Sequence, residues 1–81
     1  MAKTFEIVIS DVKDFTSKYT ELRNNIAQHY GLDAQRFRIK SGSCKMFVPI
    51  DGAWVNYSNP TLSEAQQRVR YSPIKLTFTT N

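Results

Sequence analysis

The spacing of hydrophobic residues changes period along this chain, and each change predicts an element. Residues 4–10, TFEIVIS, place Phe5, Ile7 and Ile9 on one side and Glu6 and Ser10 on the other, with Val8 the exception. Period two over that length is a strand. From residue 12 the period lengthens: Val12, Phe15, Tyr19, Leu22, Ile26 and Tyr30 recur at steps of three and four. That makes one stripe on an α-helix running from Asp11 to Leu32. Ser10 or Asp11 is placed to accept from the first free amides. Gly31 suits the left-handed residue beyond the last turn, with Leu32 folding back on the helix end. Each large side chain of the stripe is worth roughly 1.5–3 kcal/mol if buried, so this helix anchors the core. It needs a sheet to lie on.

The remaining pattern supplies one. Arg36-Phe37-Arg38-Ile39-Lys40 alternates cation and hydrophobe, and predicts a strand with Phe37 and Ile39 inward. Ser41-Gly42-Ser43-Cys44 follows, a type II′ hairpin turn if Gly42 and Ser43 are its central residues. Asp51-Gly52 suits a type I′ turn. Those two loops set the register, and register sets the faces. Phe37, Ile39, Cys44, Met46, Val48, Ile50, Ala53, Val55 and Tyr57 collect on a core face. Arg36, Arg38, Lys40, Lys45, Phe47, Pro49, Trp54 and Asn56 collect on the other, with Lys40 opposite Lys45.

Further on, Ser58-Asn59-Pro60 reads as a turn and Thr61-Leu62-Ser63-Glu64 as a capping box. A short helix over Leu62–Val69 follows, with Leu62, Ala65 and Val69 inward. Ser72-Pro73 opens a last strand in which Ile74, Leu76 and Phe78 alternate with polar residues. The order β-α-β-β-β-α-β predicts an α+β fold, a mainly antiparallel sheet with the long helix packed on one face. A ferredoxin-like arrangement with an extra strand is the first expectation and a β-grasp-like sheet the second. With 81 residues, a single domain spanning 1–81 is expected.

Composition narrows the class. Hydrophobic residues are 41% and charged residues 22%, as in globular chains. No apolar run approaches the roughly 20 residues of a membrane span, and the N-terminus lacks a signal-peptide core, so a cytoplasmic protein is expected. The single cysteine, Cys44, has no internal disulfide partner and fits a reducing compartment. Placed inward beside a turn, it reads as an inert small hydrophobe. No phosphate-binding glycine loop, zinc cysteine pair or helix-turn-helix pattern occurs, and no cofactor or metal site is expected. The element order suits an RNA-recognition motif, but neither KMFVPI nor FEIVIS carries that motif's aromatic signature.

Charge changes the picture most. Residues 34–50 hold Arg36, Arg38, Lys40 and Lys45 and no acid, which equals the whole net charge of +4. Cations beside Phe47 and Trp54 are the ingredients of a single-stranded nucleic-acid platform: phosphates pair with Arg and Lys, bases stack on rings. Like charges opposed at Lys40 and Lys45 would be relieved by a shared anion, with Ser41, Ser43 and a glycine amide as further donors. Arg68 and Arg70, beside Tyr71, extend this surface or simply suit a helix C-terminus. Asp14 and Lys18 have helical ion-pair spacing.

The expectation is therefore a small, basic, non-enzymatic binder of RNA or single-stranded DNA, monomeric or homodimeric. The alternative is a protein-interaction module, an inhibitor or antitoxin-like regulator of a nuclease or RNA-bound target. In size and composition the chain is similar to phage-encoded accessory and inhibitor proteins. A small ribonuclease using His29, the only histidine, is third.

Overall fold

The computed structural model describes residues 2–80. Strand β1 (Thr4–Ile9) leads through a 3-10 turn (Val12–Asp14) into helix α1 (Phe15–Tyr30). Strands β2 (Lys45–Ile50) and β3 (Ala53–Ser58) form a hairpin, followed by helix α2 (Leu62–Val69) and strand β4 (Ile74–Thr79). The four strands make one antiparallel sheet in the order β1-β4-β2-β3. The α+β class is as expected; the sheet has four strands rather than five. The order also departs from a ferredoxin-like sheet, where the first and third strands are central. Here β4 and β2 are central.

Local chemistry explains the element ends. Asp11 Oδ1 accepts from the Lys13 amide at 2.9 Å, stopping the chain's extended run. At the far end of α1 the Gly31 amide donates to the Gln28 carbonyl at 3.1 Å and the Leu32 amide to Ala27 at 2.9 Å, a Schellman-type close. The Leu32 side chain itself stays exposed. Both halves of the capping box form: the Glu64 amide donates to Thr61 Oγ1 at 3.2 Å, and the Thr61 amide to Glu64 Oε1 at 2.8 Å. Asp51 and Gly52 both have positive φ, 51° and 79°, as a type I′ turn demands. The β2–β3 register is as expected as far as Phe47↔Asn56, then shifts so that Met46 meets Ser58. That bulge displaces Tyr57 from the ladder.

One core holds both helices to one sheet face. Phe15, Leu22 and Ile26 of α1 and Ala65 and Val69 of α2 join Ile9, Cys44, Met46, Val48, Ile74 and Leu76 in a single cluster. α1 lies against β1 and α2 against β4. The ends of the expected stripe, Val12 and Tyr30, are exposed, as is Leu62 of α2. The expected Asp14–Lys18 pair does not form; among the described residues the ion pairs are Lys13–Asp11 and Lys75–Glu6, both at 3.9 Å.

Two differences from the sequence-based expectation matter for function. Residues 36–40 are not a strand. β2 is hydrogen-bonded to β3 on one side and β4 on the other, so no edge is left for them. Arg36 instead closes a turn in which the Asp33 carbonyl accepts from the Arg36 and Phe37 amides, and the irregular segment after it packs Phe37 and Ile39 against the core. Consequently no II′ hairpin joins 40 to 45. The Ser43 amide donates to the Lys40 carbonyl at 3.1 Å, and Gly42, with φ 84°, is the second central residue of a type II turn. The second difference is β3, where Ile50 of its hairpin partner, Ala53, Val55 and Tyr57 are exposed rather than core. The helices stop short of that edge. The last strand is interior, and β1 and β3 are the free edges.

Candidate nucleic-acid interface

Residues opposed across an antiparallel pair share a face, so the registers assign every side chain. The face away from the helices holds Glu6 and Val8 of β1, Lys75 and Thr77 of β4, Lys45, Phe47 and Pro49 of β2, and Trp54 and Asn56 of β3. Phe47 and Trp54 are therefore on the open face, as expected, and Trp54 is 38% exposed. Their neighbour is Lys75, which the sequence pattern placed only as a polar strand position. Its Nζ lies 5.0 Å from the Phe47 ring centre and 5.7 Å from the Trp54 ring, with Glu6 at 3.9 Å. One ammonium thus covers both aromatic faces and is itself paired with a carboxylate.

Arg36, Arg38 and Lys40 are not on that face. All three are exposed, and Arg38 and Lys40 border grooves lined by helix residues. Arg38 Nη1 donates to the Gln35 and Phe37 carbonyls, each at 2.8 Å, which replaces the strand partner these carbonyls lack. Arg38 then lines a groove of about 260 Å³ with Arg23, Phe15, Tyr19, Thr20 and Gln66. Lys40 and Ser41 border the adjacent cleft, which shares Tyr19 and Leu62 with the first. None of Arg23, Arg36, Arg38, Lys40 or Lys45 has a carboxylate within ion-pair distance among the described residues. Arg23 Nε is also buried with no hydrogen-bond acceptor.

The structure thus divides the expected site. Lys45, Phe47 and Trp54 stay together on the open face; Arg38, Lys40 and Ser41 border grooves with Arg23 or its neighbour Tyr19 on the helical side, and Arg36 is exposed two residues before Arg38. The expected Lys40–Lys45 opposition is absent, and the Ser43 amide is occupied by the turn. Arg23 went unassigned in the sequence because one basic residue in an amphipathic helix looks like a solvated face. Only the course of residues 36–40 brings it into the cluster.

The other titratable and aromatic groups have ordinary explanations. Arg68 stacks on Tyr57 at 4.6 Å with its Nε, like that of Arg23, buried without an acceptor, beside an open groove of about 510 Å³ lined also by Met46, Glu64 and Tyr71. Arg70 is exposed at the end of α2. Cys44 is buried, and that burial pushes its thiol up to about 11. Burial also raises the Tyr19 hydroxyl, helped by Cys44 and opposed by the Arg23 charge. His29 is exposed, its ring edge-on to Phe5 at 5.6 Å and Tyr30 at 5.2 Å. It lines a groove with Lys3, Glu6 and Asn25, and none of Arg23, Arg36, Arg38 or Lys40 borders it. Among the described residues no group of His, Cys, Asp and Glu is arranged to hold a metal, and no helix is long and apolar enough to cross a membrane.

What these observations define is an α+β domain with one open-faced antiparallel sheet and a basic segment packed against its core. Compared with protein-family models, curated proteins and solved structures, the chain finds no match.

Proposed function

We propose that the protein is a non-enzymatic binder of RNA or single-stranded DNA that holds backbone phosphates along Arg23, Arg38, Lys40 and Arg36. The observation carrying this reading is the groove between α1 and residues 36–40. Two arginines line it without a carboxylate, and one has a buried Nε lacking an acceptor. A phosphate in that groove meets two guanidinium groups and neutralises both charges, and the planar guanidinium fork matches phosphate oxygens bidentately. The open face is a poorer platform for bases. Lys75 already lies over Phe47 and Trp54, and Glu6 would repel a phosphate there.

Anisotropy of a labelled single-stranded RNA, measured over a salt series with Trp54 emission in parallel, tests this assignment. Binding should weaken steeply with salt. Arg38→Ala/Lys40→Ala should reduce the log–log salt slope by about 1.4, given about 0.7 per phosphate contact on single strands. Trp54 emission should stay unchanged because Trp54 is on the other face. Unaltered affinity and slope in the double variant would remove the assignment, and a Trp54 change on binding would move the site to the open face.

A second reading rests on a separate observation. Trp54, Phe47 and Lys75 form an aromatic–cation centre on an uncovered sheet face. Such a centre suits a hot spot for an acidic protein partner, in keeping with an inhibitor or antitoxin-like module. It predicts a Trp54 signal with a protein target and none with RNA.

A further inference from the structure

The two free edges of the sheet are unequal. β1 carries Glu6, preceded by Lys3, and charges on an edge discourage foreign strands. β3 reads Ala53-Trp54-Val55-Asn56-Tyr57-Ser58, with no charge and no proline, in a chain of net charge +4. Val55 is 41% and Tyr57 57% exposed on the inner side, and Trp54 is exposed on the outer side. An edge strand exposed on both faces, with no charge or proline and with its bulge and the Arg68 contact confined to the Tyr57 end, is open to pairing.

The geometry points to the occupant: we propose that β3 pairs antiparallel with β3 of a second copy of this chain, about a two-fold axis at Val55. The Ile50–Ala53 closure of the two-residue turn makes that a hydrogen-bonded pair, and the ladder alternates from there. Ala53 and Val55 therefore spend their amides on β2, while the N–H and C=O of Trp54 and Asn56 face outward. With the axis at Val55, Trp54 of each copy meets Asn56 of the other, and both outward-facing residues find hydrogen-bonded partners. On the inner face Val55 meets its counterpart, and the small Ala53 opposes the large Tyr57. Every match is made within the one strand, as an isologous interface requires. Because the strand has no charge, two basic copies meet there without opposed like charges. The result is one sheet of twice the width, with the two basic grooves left free on the helical side.

Sedimentation velocity across low-micromolar to sub-millimolar concentrations tests this on the intact chain. Wild type should pass from monomer to dimer. Val55→Lys, at an exposed position, should keep its circular dichroism and weaken the dimer at least about tenfold, because two ammonium groups then meet at the axis. Val55→Glu should do the same, and mixing the two variants should restore a heterodimer. A wild-type monomer throughout the range would overturn the proposal. So would a dimer that Val55→Lys leaves unchanged, or an edge that instead takes up an unrelated strand-forming peptide while remaining monomeric.

Discussion

Raising the pH is the sharpest single perturbation of this core, because one buried group should dominate its effect. Cys44 closes the sheet end of the core beside Tyr19, Ala65 and Leu76. Burial raises its thiol from 9.0 to about 11. A folded-state value above the unfolded one means the protein binds that proton more tightly when folded. Its stabilising contribution is complete below about pH 9 and is lost as pH rises through about 11. At pH 10 the unfolded thiol is mostly ionised and the folded one mostly not, a tenfold bias against folding worth about 1.4 kcal/mol. For a domain of this size that lowers the melting temperature by about 6–11 °C. Tyr19 shifts in the same direction, so wild type alone would not isolate the effect. The difference between wild type and Cys44→Ala does. Urea or thermal unfolding at pH 8 and pH 10 should show wild type losing about 1.4 kcal/mol more than the variant. At pH 8 the native thiol should also react with a disulfide reagent about a hundredfold more slowly than an unfolded one, since only the thiolate attacks. Equal pH slopes in the two proteins, or free-cysteine reactivity at pH 8, would refute the burial argument and reopen Cys44 as a reactive group.

Two further outcomes follow from named contacts. Thr61→Ala removes the hydroxyl that accepts from the Glu64 amide and leaves the Thr61 amide on Glu64; it should cost about 1 kcal/mol, read as a lower melting temperature with RNA affinity unchanged. Lys75→Met removes the ammonium from Phe47 and Trp54 and leaves Glu6 unpaired. It should cost about 1 kcal/mol and shift Trp54 emission, the only tryptophan signal in the chain.

Much of the fold was legible because local chemistry and tertiary demand agree in it. The capping box, the Asp51-Gly52 turn, the Gly31 helix close and the alternation in β4 each name a backbone geometry that packing then uses. The element order was legible for the same reason except for the strand expected at residues 36–40, which does not form. Sheet order was not, since nothing in residues 74–79 says that they insert between β1 and β2. The exposure of Val55 and Tyr57 was also hidden. The register of Val55 against β2 was readable and the bulge at Tyr57 was not, but which strands two helices can cover is a property of the assembled layers.

The site was misplaced by one inference, and its physics is instructive. Strict alternation in Arg36–Lys40 correctly put Phe37 and Ile39 inward and the three cations outward. A period of two, however, reports only an extended chain with one buried side; it does not report a hydrogen-bonded neighbour. A strand needs an edge, and β4 had taken the one next to β2. The segment therefore packed its two hydrophobes, partly buried, against the core, and Arg38 turned back to satisfy the Gln35 and Phe37 carbonyls. That same course carried the cations away from Trp54 and up to Arg23. The competition for the β2 edge thus decides where the positive charge of this protein lies, and with it which face a polyanion would approach.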